Sequence, residues 1–157
     1  MSEVELPAPT SRKPRDVGHS VCRIFFAQKG HMTSIAPWLS VRNSARAVDF
    51  YKSAFGALEV FRLEGPDGSV VARLSVDGAE FWLSDESPEH GNFSPESLGG
   101  GTVRIILTVD DPDAVFVRAQ RAGAKEVFPV GEEHGWRLGR VVDPFGHHWE
   151  IGRELAE

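Results

Sequence analysis

The 157-residue chain has a single cysteine, Cys22, so no disulfide can close within it, and a reducing cytoplasm is the expected compartment. It has no surplus of positive charge. Lys and Arg number 17 against 23 Asp and Glu, for a net −6, which argues against nucleic acid or an anionic membrane surface as a partner. No apolar run approaches the ~18 residues that cross a bilayer. The N-terminus lacks the basic start, apolar core and small-residue cleavage site of a secretory leader. Signatures of nucleophilic hydrolysis and phosphate binding are missing too. There is no Ser-His-Asp pattern, and Gly99-Gly100-Gly101 is not followed by the Lys-Ser/Thr of a phosphate-cradling loop. The six His are scattered, apart from the doublet His147-His148.

What remains is an ordinary globular composition, 41% hydrophobic and 25% charged, in a length suited to one domain or two small halves sharing a core. Residues 1–31 begin as a polar, Pro-containing stretch that buries too little to offset its ordering entropy. They are expected to be a flexible N-terminal extension, although 21–28, VCRIFFAQ, is apolar enough to dock as an added strand.

Residues 32–157 read as one domain made of two modules, 35–85 and 102–152, joined by a Gly/Ser/Pro-rich linker over 86–101. In the first module a strand over 35–42 runs into Asn43-Ser44, either of which can cap a helix. Ala47, Phe50, Tyr51, Ala54 and Phe55 then fall on one helical face, and Gly56 stands where a left-handed residue ends the helix. Strands are expected over 57–63, 69–76 and 79–84, with Asp77-Gly78 as a two-residue hairpin turn.

The second module repeats the order. A strand over 102–109 leads to a helix capped by Asp111, with Pro112 at its first position and Ala114, Val115, Ala119 and Ala122 turned inward. A strand over 124–130 follows, then a polar loop over 131–135 containing His134. A hairpin closes around Asp143-Pro144-Phe145-Gly146. His147 is expected to close that turn with its side chain. Alternation on the last strand puts His148 and Glu150 on one face and Trp149 and Ile151 on the other. Leu39-Ser40-Val41 matches Leu107-Thr108-Val109, and the stretch from Gly56 to Phe61 matches that from Gly123 to Phe128. Both matches mark a duplicated β-α-β-β-β unit. A four-stranded sheet with one helix leaves a face open, so the expected fold is α+β, with two tandem modules forming curved mixed sheets around a cleft.

Three stretches carry a family resemblance. They are Ala36-Pro37-Trp38-Leu39, the helix segment Phe50-Tyr51-Lys52-Ser53-Ala54-Phe55-Gly56-Ala57, and Asp143-Pro144-Phe145-Gly146-His147-His148-Trp149. With the paired modules, they resemble the vicinal oxygen chelate superfamily of glyoxalases, bleomycin-resistance proteins and extradiol dioxygenases, and within it the PhnB-like branch. The resemblance implies four strand positions, two per module, that hold one divalent ion in metal-using members. Here they fall at Ala36, Trp82, Arg104 and Glu150, of which only Glu150 is a ligand type, with His148 as a nearby substitute. Arg104 is a permanent cation and is expected to pair with Glu150 as a structural pair or as a clamp for an anion.

Trp38, Trp82 and Trp136 are expected to edge the cleft and stack a planar ligand. The leading expectation is a homodimer that binds a small aromatic or amphipathic molecule through Trp38, Trp82, Arg104, Trp136, His148 and Glu150, with no cofactor. The alternative is a lyase, isomerase or dioxygenase holding Zn, Ni, Mn or Fe at Glu150 and His148, with Glu150 as the catalytic base. A third possibility is a dimeric structural module with no ligand. No nucleic-acid or membrane partner is expected.

Overall fold

The computed structural model describes residues 32–156; the extension expected over 1–31, Cys22 included, lies outside them. Four strands form the first sheet: β1 (Trp38–Val41), β2 (Leu58–Glu64), β3 (Val70–Val76) and β4 (Ala79–Asp85), in the order β1-β4-β3-β2. Helix α1 (Ser44–Phe55) crosses from β1 to β2. The connection to the second module carries a 3-10 turn (Pro88–His90) and a single-turn helix α2 (Pro95–Leu98). The second sheet holds β5 (Arg104–Thr108), β6 (Lys125–Glu133), β7 (Trp136–Val142) and β8 (His148–Glu154), in the matching order β5-β8-β7-β6. Helix α3 (Pro112–Ala122) follows β5. Both sheets are mixed: the first strand runs parallel to the last, and the other pairs are antiparallel.

Local chemistry sets the helix ends. The Asn43 side chain accepts from the Arg46 N–H at 3.1 Å. Gly56, at φ 67°, ends α1 with its own N–H on the Lys52 carbonyl and that of Ala57 on Tyr51. Asp111 caps α3 in the same way, accepting from Ala114 N at 3.1 Å. The duplication extends to a defect: register shifts fall between Glu59 and Phe61 in β2 and between Glu126 and Phe128 in β6, 67 residues further on.

Two local expectations change. The stretch 131–135 is not a loop. β6 continues to Glu133 and turns into β7 through His134 and Gly135, at φ 50° and 78°, a two-residue turn in which both residues sit in the left-handed region. On α3 Ala119 is buried and Val115 and Ala122 pack partly buried against the core as expected, but Ala114 is exposed and the unanticipated Phe116 is buried, filling the space over Gly139 on β7.

The helix-side faces of the two sheets meet in one core. Trp149 from β8 lies 5.5 Å from the Phe81 ring on β4, and 4.8 and 5.5 Å from Phe55 and Tyr51 on α1. Helix α1 also packs on α3. At the centre Asp143 is buried and accepts four hydrogen bonds. Phe145 N and His147 N donate to Oδ1, both at 2.9 Å; Tyr51 Oη and Trp149 Nε1 donate to Oδ2 at 2.6 and 2.9 Å. Burial, then the charge and hydrogen bond of Asp143, push the Tyr51 phenol well above its ordinary pKa. Asp143 therefore closes the turn, which corrects the role expected of His147. The His147 ring instead reaches across the modules, with Nε2 3.0 Å from the Ser40 carbonyl.

Candidate functional site: two outward sheet faces

Because the helix sides of both sheets point into the shared core, alternate residues on every strand point outward. On the first sheet the register places Trp38 beside Trp82, Trp82 beside Arg73, and Arg73 beside Phe61. These four side chains form a continuous row. The Trp38 and Trp82 rings stack 5.3 Å apart with 9° between their planes, and Trp38 Nε1 donates to Ser84 Oγ at 3.0 Å, which fixes that orientation. Arg73 lies over the Trp82 ring at 5.3 Å, and Phe61 is 5.6 Å from the same ring. Trp38 remains 56% exposed. Trp82 is thus held between Trp38 and Arg73, and the exposed indole of Trp38, backed by this stack, is suited to stacking a planar molecule.

The equivalent row on the second sheet is Ile106, Glu150, Arg140 and Phe128. Two guanidinium groups converge on one carboxylate oxygen: Arg140 Nη2 at 2.8 Å and Arg104 Nη1 at 3.2 Å, both from Glu150 Oε1. The Glu150 side chain is 15% exposed, whereas that of Arg104 is 62% exposed. Arg140, 67 residues after Arg73, also lies over an aromatic ring, that of Phe128 at 5.2 Å, the counterpart of Phe61 rather than of Trp82. The expected Arg104–Glu150 contact is therefore present, and sequence reasoning missed its second partner, Arg140. The signal was available, because a hairpin closed at 143–147 pairs 142 with 148 and 140 with 150.

Of the six residues expected at the site, Trp38 and Trp82 come together on one sheet, and Arg104 and Glu150 on the other. His148 stands in register with Arg104 and Val142, half-buried, and its Nδ1 is buried with no hydrogen-bond partner. Trp136 shares the outward face of β7 but sits opposite Glu154, about 13 Å along the strand from Arg140 at the usual rise per residue. Ala36 precedes β1 and is exposed; the residue directly beside Trp82 is Trp38, and the one beside Glu150 is Ile106 rather than Arg104. Among the described residues, no hydrogen bond, ion pair or ring contact joins the Trp38 row to the Glu150 row.

These side chains do not fit a divalent ion. Glu150 spends one oxygen on two cations, its register partners are Ile106 and Arg140, and the matching positions of the first sheet are two stacked indoles. Among the described residues no three His, Cys, Asp or Glu gather at one point. Zinc draws on about four ligands, and one carboxylate beside two guanidinium groups offers neither the donors nor the charge.

Comparison with known proteins agrees with this architecture. A family model described as Glyoxalase/Bleomycin resistance protein/Dioxygenase superfamily matches residues 29–151. Protein Rv0887c of Mycobacterium tuberculosis is 43% identical over 129 residues, covering 79% of this chain and 76% of that protein. The crystal structure of the Arabidopsis thaliana At5g48480 product is 33% identical, with a TM-score of 0.61, over 80% of this chain and 99% of that one. The structure of TioX from Micromonospora sp. ML1 is 27% identical, with a TM-score of 0.60, over 80% of this chain and 98% of that one. No helix among the described residues is long and apolar enough to cross a membrane.

Proposed function

The chain belongs to the Glyoxalase/Bleomycin resistance protein/Dioxygenase superfamily, and we propose that it binds a small aromatic or amphipathic molecule in a cleft without the family's metal. The observation that carries this is the Trp38–Trp82 stack, fixed by Ser84, with Trp82 standing where the resemblance implies a metal ligand. Indole pairs offer a ligand a large contact area at low entropic cost, and they contribute nothing to a metal. Sequestration or an accessory role suits such a site better than lyase chemistry. The motif from Asp143 to Trp149 supports a place near the PhnB-like branch.

A cleft needs two walls, and the Trp38 and Glu150 rows face outward on different sheets. Two copies can supply both walls, the first sheet of one lying over the second sheet of the other, so that a homodimer holds two clefts. Exposed apolar side chains on both faces, Trp38 and Phe61 on one and Ile106 and Phe128 on the other, favour such burial. A stable interface buries about 1,200–2,000 Å² in total, within reach of two sheet faces used twice.

The test is fluorescence titration with N-phenylnaphthylamine, a neutral planar probe, alongside light scattering for mass. Saturable binding by a dimer, weakened about tenfold or more by Trp82→Leu, is expected, since stacking on an aromatic is worth roughly 1–3 kcal/mol. A monomer, or binding indifferent to Trp82, would overturn the two-walled cleft. Stoichiometric Zn, Ni, Mn or Fe in untagged protein, lost in Glu150→Gln, would restore the metal-dependent alternative.

A further inference from the structure

We infer that the molecule held in this cleft is a planar aromatic anion, a flat ring system bearing one carboxylate, sulfonate or phosphate. The inference rests on the ligand-binding function proposed above and names its ligand class. The protein as a whole carries a net −6, yet the two outward rows are locally positive. Arg73 and Arg140 within them, with Arg104 beside the second, stand against Glu80 and Glu150, whereas the carboxylates in register with Trp136, Glu133 and Glu154, lie at the far end of β7. An acidic protein that gathers cations on its aromatic faces concentrates anions there and repels them elsewhere.

The arrangement on the second sheet shows where the anionic group goes. Arg140 is largely buried, with a 17% exposed side chain, and its short contact to Glu150 consumes that carboxylate's charge. Arg104 reaches the same oxygen with one nitrogen at 3.2 Å and is otherwise open to solvent. One negative charge thus serves two positive ones, and the surplus sits on the accessible member. A guanidinium has five N–H donors in a flat fork that matches a carboxylate, sulfonate or phosphate edge to edge. On the first sheet Arg73 lies over Trp82. It meets Glu80 only at 3.5 Å, and its Nε has no acceptor, so the aromatic wall is cationic as well. A cationic ring would face three guanidinium groups with both carboxylates already engaged. A neutral ring would gain the stacking and leave the fork of Arg104 to water.

A matched pair of probes isolates the charge. Anilinonaphthalene sulfonate and N-phenylnaphthylamine share a skeleton and differ by the sulfonate, and an aminoacridine supplies the cation. Wild-type protein should bind the sulfonate about tenfold more tightly than the neutral probe, the scale of one hydrogen-bonded charge. That advantage should shrink as salt is added. Arg104→Gln should remove most of it, weakening the sulfonate several-fold more than the neutral probe. Arg104 is exposed and Glu150 keeps Arg140, so the variant is expected to fold, with circular dichroism as the check. Equal binding of the two probes, tighter binding of the aminoacridine, or an Arg104→Gln variant that keeps the full preference overturns the anion assignment. In those cases Trp82→Leu still weakens every probe and the cleft stands. If Trp82→Leu changes none of them, or no probe binds, the cleft itself is wrong and the anion assignment falls with it.

Discussion

Replacing Tyr51 by Phe takes one oxygen out of the buried knot around Asp143 and leaves the ring packing in place. The phenol donates to Asp143 Oδ2 at 2.6 Å from a fully buried position. A hydrogen bond to a charged group contributes about 1.5–3 kcal/mol. After the substitution Oδ2 still accepts from Trp149 Nε1, and Oδ1 still accepts from two backbone N–H groups. The expected loss is therefore near the lower end, about 1.5–2 kcal/mol. Asp143→Ala removes the acceptor of all four donors at once and is expected to cost about 3–5 kcal/mol. Urea unfolding followed by tryptophan fluorescence measures both. An Asp143→Ala variant no less stable than Tyr51→Phe would refute the hub.

The same residue provides a second readout, because Tyr51 is the only tyrosine in the chain and phenolate absorbance reports on it alone. Its pKa is raised well above 10.0, by burial first and then by the Asp143 carboxylate. The unfolded chain releases the phenol proton near 10.0 while the folded chain retains it. Stability is therefore at its full value below that pH and falls as pH rises above it. The phenolate signal is expected to appear only with alkaline unfolding, and Tyr51→Phe should lack this contribution to the alkaline loss. A smooth titration near 10.0 in folded protein would contradict the burial.

Two further outcomes test other parts of the structure. Glu86 accepts from Ser94 N at 2.8 Å and Ser97 Oγ at 2.7 Å, and these bonds, more than Arg42, hold its pKa at about 2 instead of 4.5. Its contribution is present above pH 4.5 and lost as pH falls toward 2, so Glu86→Gln should flatten acid unfolding in that window and speed amide exchange at Ser94. Unchanged exchange would show that Glu86 does not hold the α2 turn. A Cβ at Gly139 would stand 2.8 Å from Phe116 Cε2 and 2.9 Å from the backbone nitrogen of Val130. Gly139→Ala should cost about 1–3 kcal/mol by overpacking, read as a fall in Tm, and an unchanged Tm would refute the close approach.

Much of the architecture was legible because its signals are local. Asn43 and Asp111 cap helices through their own side chains, and Gly56 and Asp77-Gly78 require backbone conformations that few residues supply. The duplication was readable as two matched segments, and the bulges at Val60 and Val127 show that it reaches the irregularities. The stretch 131–135 failed because its residues are polar on both faces: β6 is an outer strand there, exposed almost throughout, so no hydrophobic alternation marks it. Phe116 was missed because the helix pattern of small residues points to Ala114, whereas the gap above Gly139 admits a ring.

The sequence by itself determined the two modules, the residue types on each strand face, and the survival of Glu150 as one ligand-type side chain at the positions the resemblance implies. Strand register and the packing of sheet on sheet decided the rest. Register is a relation between segments far apart in the chain, and a shift of two residues leaves the face pattern unchanged while replacing every neighbour. That is why Ile106 rather than Arg104 stands beside Glu150, and Trp38 rather than Ala36 beside Trp82. Which way the finished faces point depends on where the cores of both modules meet. Trp149 and Phe81, 5.5 Å apart, join the helix sides of the two sheets and turn the Trp38 row and the Glu150 row outward.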